Sequence, residues 1–263
     1  MSYADVNGLH LYYEEHGSGE QTLVLLHGGF GATEMMAGVM PELSAGRRVI
    51  AVDLQGHGRT ADIDRPLRYE SMAEDIAALI RQLGVGAVDV MGYSLGGGVA
   101  ARTAIQHPEV VRRLVLVSVP CRRSAWFPEV LAGMAQMGAG SAEPMKQSPL
   151  WELYSRLAPR VEDWPILHVK MGELLNLDYD WTEEVATLEM PVMLVAGDSD
   201  SFPPAHAAEF YALLGGGLRD AGWDNSGRVT NRLAIVPGGT HYDMFAQPEL
   251  ARVSVTFLDE KLT

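Results

Sequence analysis

A serine set between glycines, Gly92-Tyr93-Ser94-Leu95-Gly96, is the segment of this sequence best suited to nucleophilic chemistry. It follows an apolar stretch, Val88-Asp89-Val90-Met91, and opens a helix-like one. On a tight strand-to-helix turn a serine takes a strained backbone shape, and side chains two residues to either side collide, so glycine is needed at 92 and 96. The turn lifts the hydroxyl above the sheet edge, and the helix N-terminus favours negative charge beside it. The plain alternative is an N-cap serine in a glycine-rich turn. A nucleophilic serine needs a base. His241, in Pro237-Gly238-Gly239-Thr240-His241, falls just beyond the last strand-like run, at the same carboxyl edge as Ser94. Imidazole takes up a proton near neutral pH and returns it. Of the other histidines, His10 and His16 flank a first hairpin, His107 ends a helix, and His168 lies in a helical region. His206, near a helix start, is the nearest rival, and no pair has zinc-ligand spacing.

The histidine in turn needs a carboxylate to fix its tautomer. The run ending at Ala196 leads into Gly197-Asp198-Ser199-Asp200. A residue slightly past the strand end can swing toward the histidine loop, which favours Asp200, leaving Asp198 to brace the turn. The loop after the preceding strand, Pro120-Cys121-Arg122-Arg123, offers no acid. Attack on a carbonyl builds charge on oxygen, and backbone N–H groups must meet it. Leu95, next to the nucleophile, supplies one donor. In His27-Gly28-Gly29-Phe30-Gly31, Gly29 is the first choice for the second and Phe30 the fallback. A phosphate site is not indicated, since neither GxxxxGK[ST] nor a helix-opening GxGxxG occurs.

These segments need a scaffold. Residues 9–14, 22–26, 48–52, 88–91 and 114–118 read as strands, with helices over about 71–83 and 94–107 between them. Ser71-Met72-Ala73-Glu74 has the form of a capping box, after which Met72, Ile76, Leu79, Ile80 and Leu83 recur at helical spacing and Gly84 stops the helix. Continuous apolar strands separated by helices predict a parallel sheet covered on both faces, an α/β fold. Alternation returns with a strand over 191–196, a helix over 204–214, a strand over 232–236 and a terminal helix over 249–262. Residues 215–229 form a long excursion between them.

From about 120 to 188 the strand pattern stops. Prolines at 128, 144, 149, 159 and 165 divide this stretch into short helices, and it holds Trp126, Trp151, Trp164 and Trp181 with Met134, Met137, Met145 and Met171. A helical cap over 120–188 on a core of 1–119 and 189–263 follows. Its aromatic and methionine side chains either fill their own small core or line a pocket from above. Trp126, Met134, Met137, Trp151 and Trp164 are the candidate lining residues.

At 263 residues and 47% hydrophobic, the chain can bury a sizeable core, and its 21% charged content argues against disorder. With 34 acidic against 20 basic residues the net charge is −14, which disfavours nucleic acid and anionic membranes. No 18-residue apolar run occurs, and Met1-Ser2-Tyr3-Ala4-Asp5 does not open a signal peptide, so a cytoplasmic location is expected. Cys121 is the only cysteine, which excludes internal disulfides and cysteine metal clusters. A buried bystander role suits it better than a pocket role.

The sequence resembles the α/β-hydrolase fold family over nearly its whole length. The resemblance rests on the HGG loop at 27–29, Asp53-Leu54-Gln55-Gly56-His57-Gly58-Arg59-Thr60, the elbow at 92–96, residues 197–200, Gly239-Thr240-His241, and the order Ser94, Asp200, His241. It implies an eight-stranded, mostly parallel sheet, a helical cap inserted after the sixth strand, and a structural role for 53–60, His57 included. It also implies kinship with small esterases, lactonases and haloperoxidase-like members. Dehalogenases and epoxide hydrolases carry aspartate where Ser94 stands. The expected activity is cofactor-free hydrolysis of carboxylic esters with small to medium apolar acyl chains. Lactone opening, such as that of acyl-homoserine lactones, is the alternative. Carbon–carbon hydrolysis follows at a distance, because nothing in the sequence marks an anionic-substrate pocket, and an inert ligand receptor is the non-enzymatic reading. The partner is a small-molecule ester or lactone; oligomeric state is not legible.

Overall fold

The computed structural model describes residues 2–261. The chain opens with β1 (Ser2–Val6), β2 (Leu9–His16), β3 (Thr22–Leu26), α1 (Met40–Leu43) and β4 (Arg48–Val52). Then come α2 (Tyr69–Leu83), β5 (Val88–Tyr93), α3 (Leu95–Gln106) and β6 (Val111–Val117). Between β6 and the next strand lie α4 (Pro128–Ala135), α5 (Pro149–Leu157), α6 (Trp164–Asn176) and α7 (Thr182–Val185), joined by short 3-10 turns. The chain returns to the sheet with β7 (Val192–Ser199), α8 (Pro204–Leu213), β8 (Arg232–Thr240) and α9 (Pro248–Leu258).

The strands form one eight-stranded sheet in the order β1-β2-β4-β3-β5-β6-β7-β8. β2 is antiparallel to both its neighbours, and every pairing from β4 to β8 is parallel. The central strands alternate between two cores. Val24, Leu26, Val90 and Leu116 face α2 and α3, while Leu23, Leu25, Met91 and Val115 pack on the side of α1 and α9. All eight are buried, as strands covered on both faces must be. The parallel register brings the carboxyl ends of β3, β5, β6, β7 and β8 to one edge, where a doubly covered sheet leaves its crevice.

Several boundaries differ from the sequence reading. The strand β1 is absent from that reading; its signal is Asn7-Gly8, both at positive φ (48° and 84°), the two-residue turn that matches strand twist. His10 and His16 therefore lie within β2 and do not flank the hairpin. The helix α2 begins two residues before Ser71, with Arg68 at its N-cap and no side-chain cap bond. Tyr69 packs edge-on against Trp181 and Tyr179, and these contacts extend the helix past the capping-box signal. The last helix ends at Leu258, and residue 262 lies outside the described residues. The 120–188 stretch contains no ladder beyond an isolated Arg122–Asp180 bridge. Residues 215–229 hold neither helix nor strand, and Trp223 there is fully exposed.

The 53–60 loop is braced from within. Asp53 accepts the backbone N–H groups of Thr33 (2.7 Å) and Arg59 (2.8 Å), and Thr60 bonds both the Asp53 carbonyl and the Tyr12 N–H. His57 is fully buried, with Nδ1 against the Gln55 carbonyl at 2.8 Å. Burial, then the neighbouring His27, push its pKa down to about 3. A folded-state pKa below the ordinary histidine value of about 6.5 means that the unfolded chain takes up the proton first as pH falls. The stability His57 contributes is therefore present above about pH 6.5 and is lost as pH drops toward 3. Compared with a His57→Gln variant, wild type should lose about 1.4 kcal/mol per pH unit below 6.5, or about 2 kcal/mol by pH 5. Urea unfolding of both proteins at pH 7, 6 and 5 measures the difference; a pH-independent gap would overturn the assignment.

Candidate active site

Ser94 stands at the junction of β5 and α3 with φ 53° and ψ −114°, a conformation that costs a non-glycine residue about 1–3 kcal/mol. The junction is held by Ser94 N–H donating to the Val117 carbonyl (2.9 Å) and Gly96 N–H donating to that of His27 (3.1 Å). A Cβ on Gly92 would run into the Gly96 carbonyl, and one on Gly96 would meet the His27 carbonyl, so the turn closes only with glycine at both places. Strain at Ser94 is thus imposed by packing around it.

His241 follows β8. Its Nε2 lies 3.0 Å from Ser94 Oγ, and its Nδ1 lies 2.9 Å from Asp200 Oδ1. Asp200 reaches that position because β7 and β8 run unusually close at their ends. A Cβ on Gly197 would strike the Gly239 carbonyl, and the pairing register shifts just after Gly197. Asp200 is buried and surrounded by donors. Its Oδ1 also accepts Ser201 N–H (2.8 Å), and Oδ2 accepts Ser118 Oγ–H (2.6 Å) and Gly197 N–H (3.1 Å). Burial works against its charge, but the bonds from His241, Ser118 and Gly197 outweigh burial and hold the carboxyl below the usual carboxylate range. Asp198, the other acid of the loop, points outward and accepts the Gly238 N–H at 3.0 Å. His206 is buried beside Cys121, with Nε2 accepting the Cys121 N–H (3.3 Å) and Nδ1 3.2 Å from Glu209, away from the serine.

Two supporting residues escape the sequence reading. Ser118 directly follows β6 at positive φ (53°), and its hydroxyl holds the far oxygen of Asp200. Tyr93 donates its hydroxyl to the His241 carbonyl, tying the histidine loop to the strand that carries the nucleophile. The signal for both was their place at the ends of neighbouring strands.

The N–H groups of Gly29, Phe30 and Leu95 enter none of the turn, loop or side-chain hydrogen bonds among the described residues. The neighbouring Gly31 N–H is closed onto the Gly28 carbonyl (3.1 Å). Phe30 takes positive φ (57°) in that turn, and a Cβ on Gly29 would lie 3.9 Å from the Leu95 Cβ, so the two residues lie side by side. All three residues line a cavity of about 760 Å³ whose wall includes Ser94 and His241.

Of the candidate lining residues, Trp126, Met134 and Met137 face this cavity, Trp126 edge-on to His241 at 5.4 Å. Trp151 and Trp164 do not line it, which corrects the sequence reading. Trp164 is fully buried, donates Nε1–H to the Ala142 carbonyl, and packs with Trp151, Tyr154, Phe30 and His168. These rings join the helical segment to the main core because an indole with its N–H satisfied gains most from full burial. Sequence reasoning missed Met171, Leu174, Tyr179 and Arg123 among the lining residues.

A family model described as alpha/beta hydrolase fold matches residues 21–140. A pimeloyl-[acyl-carrier protein] methyl ester esterase of Aeromonas hydrophila is 32% identical over 219 residues, covering 73% of this chain and 81% of that protein. The dihydrolipoyllysine-residue acetyltransferase component of an acetoin cleaving system from Cupriavidus necator is 34% identical over 116 residues, 44% of this chain and 31% of that longer protein. Among solved structures, the enol-lactonase from Burkholderia xenovorans LB400 superposes with a TM-score of 0.71 at 21% identity, covering 98% of this chain and all of that one. Among the described residues no helix is long and apolar enough to cross a membrane.

Proposed function

We propose, for a chain that belongs to the α/β-hydrolase fold family and is a carboxylic-ester hydrolase, that Ser94, His241 and Asp200 act as nucleophile, base and orienting acid on esters with small to medium apolar acyl chains. The observation that carries this reading is the continuous contact from Ser94 Oγ through His241 to Asp200, at 3.0 and 2.9 Å, on the wall of an apolar cavity. Ser94 Oγ attacks the ester carbonyl while its proton passes to His241 Nε2. Asp200 holds Nδ1–H and so keeps Nε2 free to accept. The negative oxygen of the tetrahedral intermediate sits against the N–H groups of Gly29 and Leu95, with Phe30 as the alternative donor. One such donor is worth about 3–4 kcal/mol in the transition state. His241 returns the proton to the departing alcohol, and a water deprotonated by the same nitrogen releases the acid. The α4–α7 segment, 120–188, serves as the cap, with Met134, Met137 and Trp126 forming the roof over the acyl chain.

A lactone is the second reading, because a cyclic ester needs the same relay and differs only in that the leaving alcohol stays tethered to the acyl group. The enol-lactonase named above shares the fold. The test is a p-nitrophenyl ester series from acetate to decanoate beside an acyl-homoserine lactone series read by proton release. The expected result is ester turnover with kcat/KM highest between butyrate and octanoate. A large preference for lactones replaces the ester reading with the second, and no turnover of either class overturns both.

A further inference from the structure

Two adjacent arginines open the segment after β6, and the fold sends them in opposite directions. Arg122 forms a two-bond ion pair with Glu209 of α8 at 2.8 and 2.7 Å. Arg123 lines the cavity that contains Ser94 and His241. It is held there from both ends: its backbone N–H donates to the Tyr179 carbonyl (2.9 Å) and its Nε to the Leu175 carbonyl (3.1 Å). Among the described residues, its two terminal nitrogens have no hydrogen-bond acceptor and no carboxylate within 4.0 Å. Every other described arginine either pairs with a carboxylate or bonds a carbonyl through a terminal nitrogen. Glu129, the other charged lining residue apart from the His241 imidazole, is exposed on α4 and does not reach Arg123.

A guanidinium half-buried among Met, Leu and Tyr side chains loses hydration that, at its two terminal nitrogens, no group of the chain replaces. With Nε already engaged, its free edge offers parallel N–H groups in the spacing of a carboxylate. The chain's net charge of −14 repels anions in general, so this cation works only as a local receptor inside apolar walls. We propose that Arg123 determines specificity in this pocket by selecting esters whose acyl chain ends in a second, unreacting carboxylate. The proposal rests on the ester-hydrolase reading and deepens it. The scissile carbonyl lies at Ser94, the free carboxylate on Arg123, and the methylenes between them along Met134, Met137, Leu174 and Leu175. Hydrolysis breaks the acyl C–O bond, adds the elements of water, and releases an alcohol and a dicarboxylic acid.

The experiment compares monomethyl esters of linear dicarboxylic acids, succinate to suberate, with methyl alkanoates of the same chain length, in wild type, Arg123→Met and Arg123→Lys. The readout is the ratio of kcat/KM between charged and neutral esters within each protein, which cancels any general loss of folded enzyme. Wild type is expected to prefer the charged ester by about 10²-fold at its best chain length, chiefly through KM. Arg123→Met should bring the ratio to about one, and Arg123→Lys, which keeps the charge without the fork, should fall between. A wild-type ratio at or below one at every length, or a ratio unchanged in Arg123→Met, overturns the proposal while leaving ester hydrolysis intact. Absence of turnover on charged, neutral and p-nitrophenyl esters alike overturns both.

Discussion

Alanine at position 94 is expected to lower kcat/KM toward p-nitrophenyl butyrate by about 10⁵–10⁶-fold, leaving a residual rate about 10³–10⁴ above the uncatalysed one. In the proposed mechanism the loss is large because the hydroxyl is the one atom on which the relay converges. Without Oγ, His241 Nε2 has nothing to deprotonate except water, and no acyl-enzyme forms. In the proposed mechanism the residual activity comes from what the substitution leaves in place, the cavity and the N–H groups of Gly29 and Leu95. Stability should change little. Alanine keeps the Cβ, so the strain at φ 53° stays, and Ser94 makes no side-chain cap bond to α3. A serine-reactive phosphonate checks the same point without a substrate: wild type should be labelled and the variant not. Retention of a tenth of wild-type turnover by Ser94→Ala, with unchanged melting temperature, would remove Ser94 from the mechanism.

What the sequence displays and what it hides follow from where each residue sits. The segments that meet at the sheet edge, His27-Gly28-Gly29, Gly92 to Gly96, 197–200 and Gly239 to His241, are legible because each stands just past an apolar strand. Close backbone approach there demands glycine. The sheet is legible for a related reason: strands buried on both faces read as unbroken apolar runs. The antiparallel β1 is partly exposed, with no such run, and only Asn7-Gly8 announces it. In the segment between β6 and β7 composition fails altogether. Trp126 and Trp164 are both buried, yet one faces the cavity and the other the core, and helices set by prolines do not disclose their rotation. Arg122 and Arg123 are neighbours of the same type in a loop, and their opposite directions depend on Glu209, Leu175 and Tyr179, which are remote in sequence.

Asparagine at position 200 is expected to reduce kcat by about 10⁴-fold, with substrate binding little changed. Four donors converge on the two Asp200 oxygens: His241 Nδ1–H and Ser201 N–H on Oδ1, Ser118 Oγ–H and Gly197 N–H on Oδ2. An amide satisfies one side of this arrangement only. With its NH₂ toward His241, the Ser201 N–H is left facing another donor, and the ring must accept at Nδ1 and carry its proton on Nε2, aimed at Ser94 Oγ, where a base is required. With its NH₂ toward Ser118, the hydroxyl can reverse but the Gly197 N–H is left facing another donor. Losing one buried acceptor costs about 1–3 kcal/mol, so the first arrangement and its inactive tautomer remain within reach on either accounting. Asp198→Asn is the discriminating control. Asp198 braces Gly238 from the exposed side and should tolerate the change with less than a tenfold effect. The pH dependence separates the roles further. Asp200 has a folded-state pKa below its unfolded value, so the stability it contributes is present above about pH 4 and is lost only as pH falls through the lower folded value. Any rise in wild-type activity between pH 5 and 8 then reports a group other than Asp200. A 10⁴-fold loss in Asp198→Asn together with an active Asp200→Asn would exchange the two acids and undo the relay as drawn.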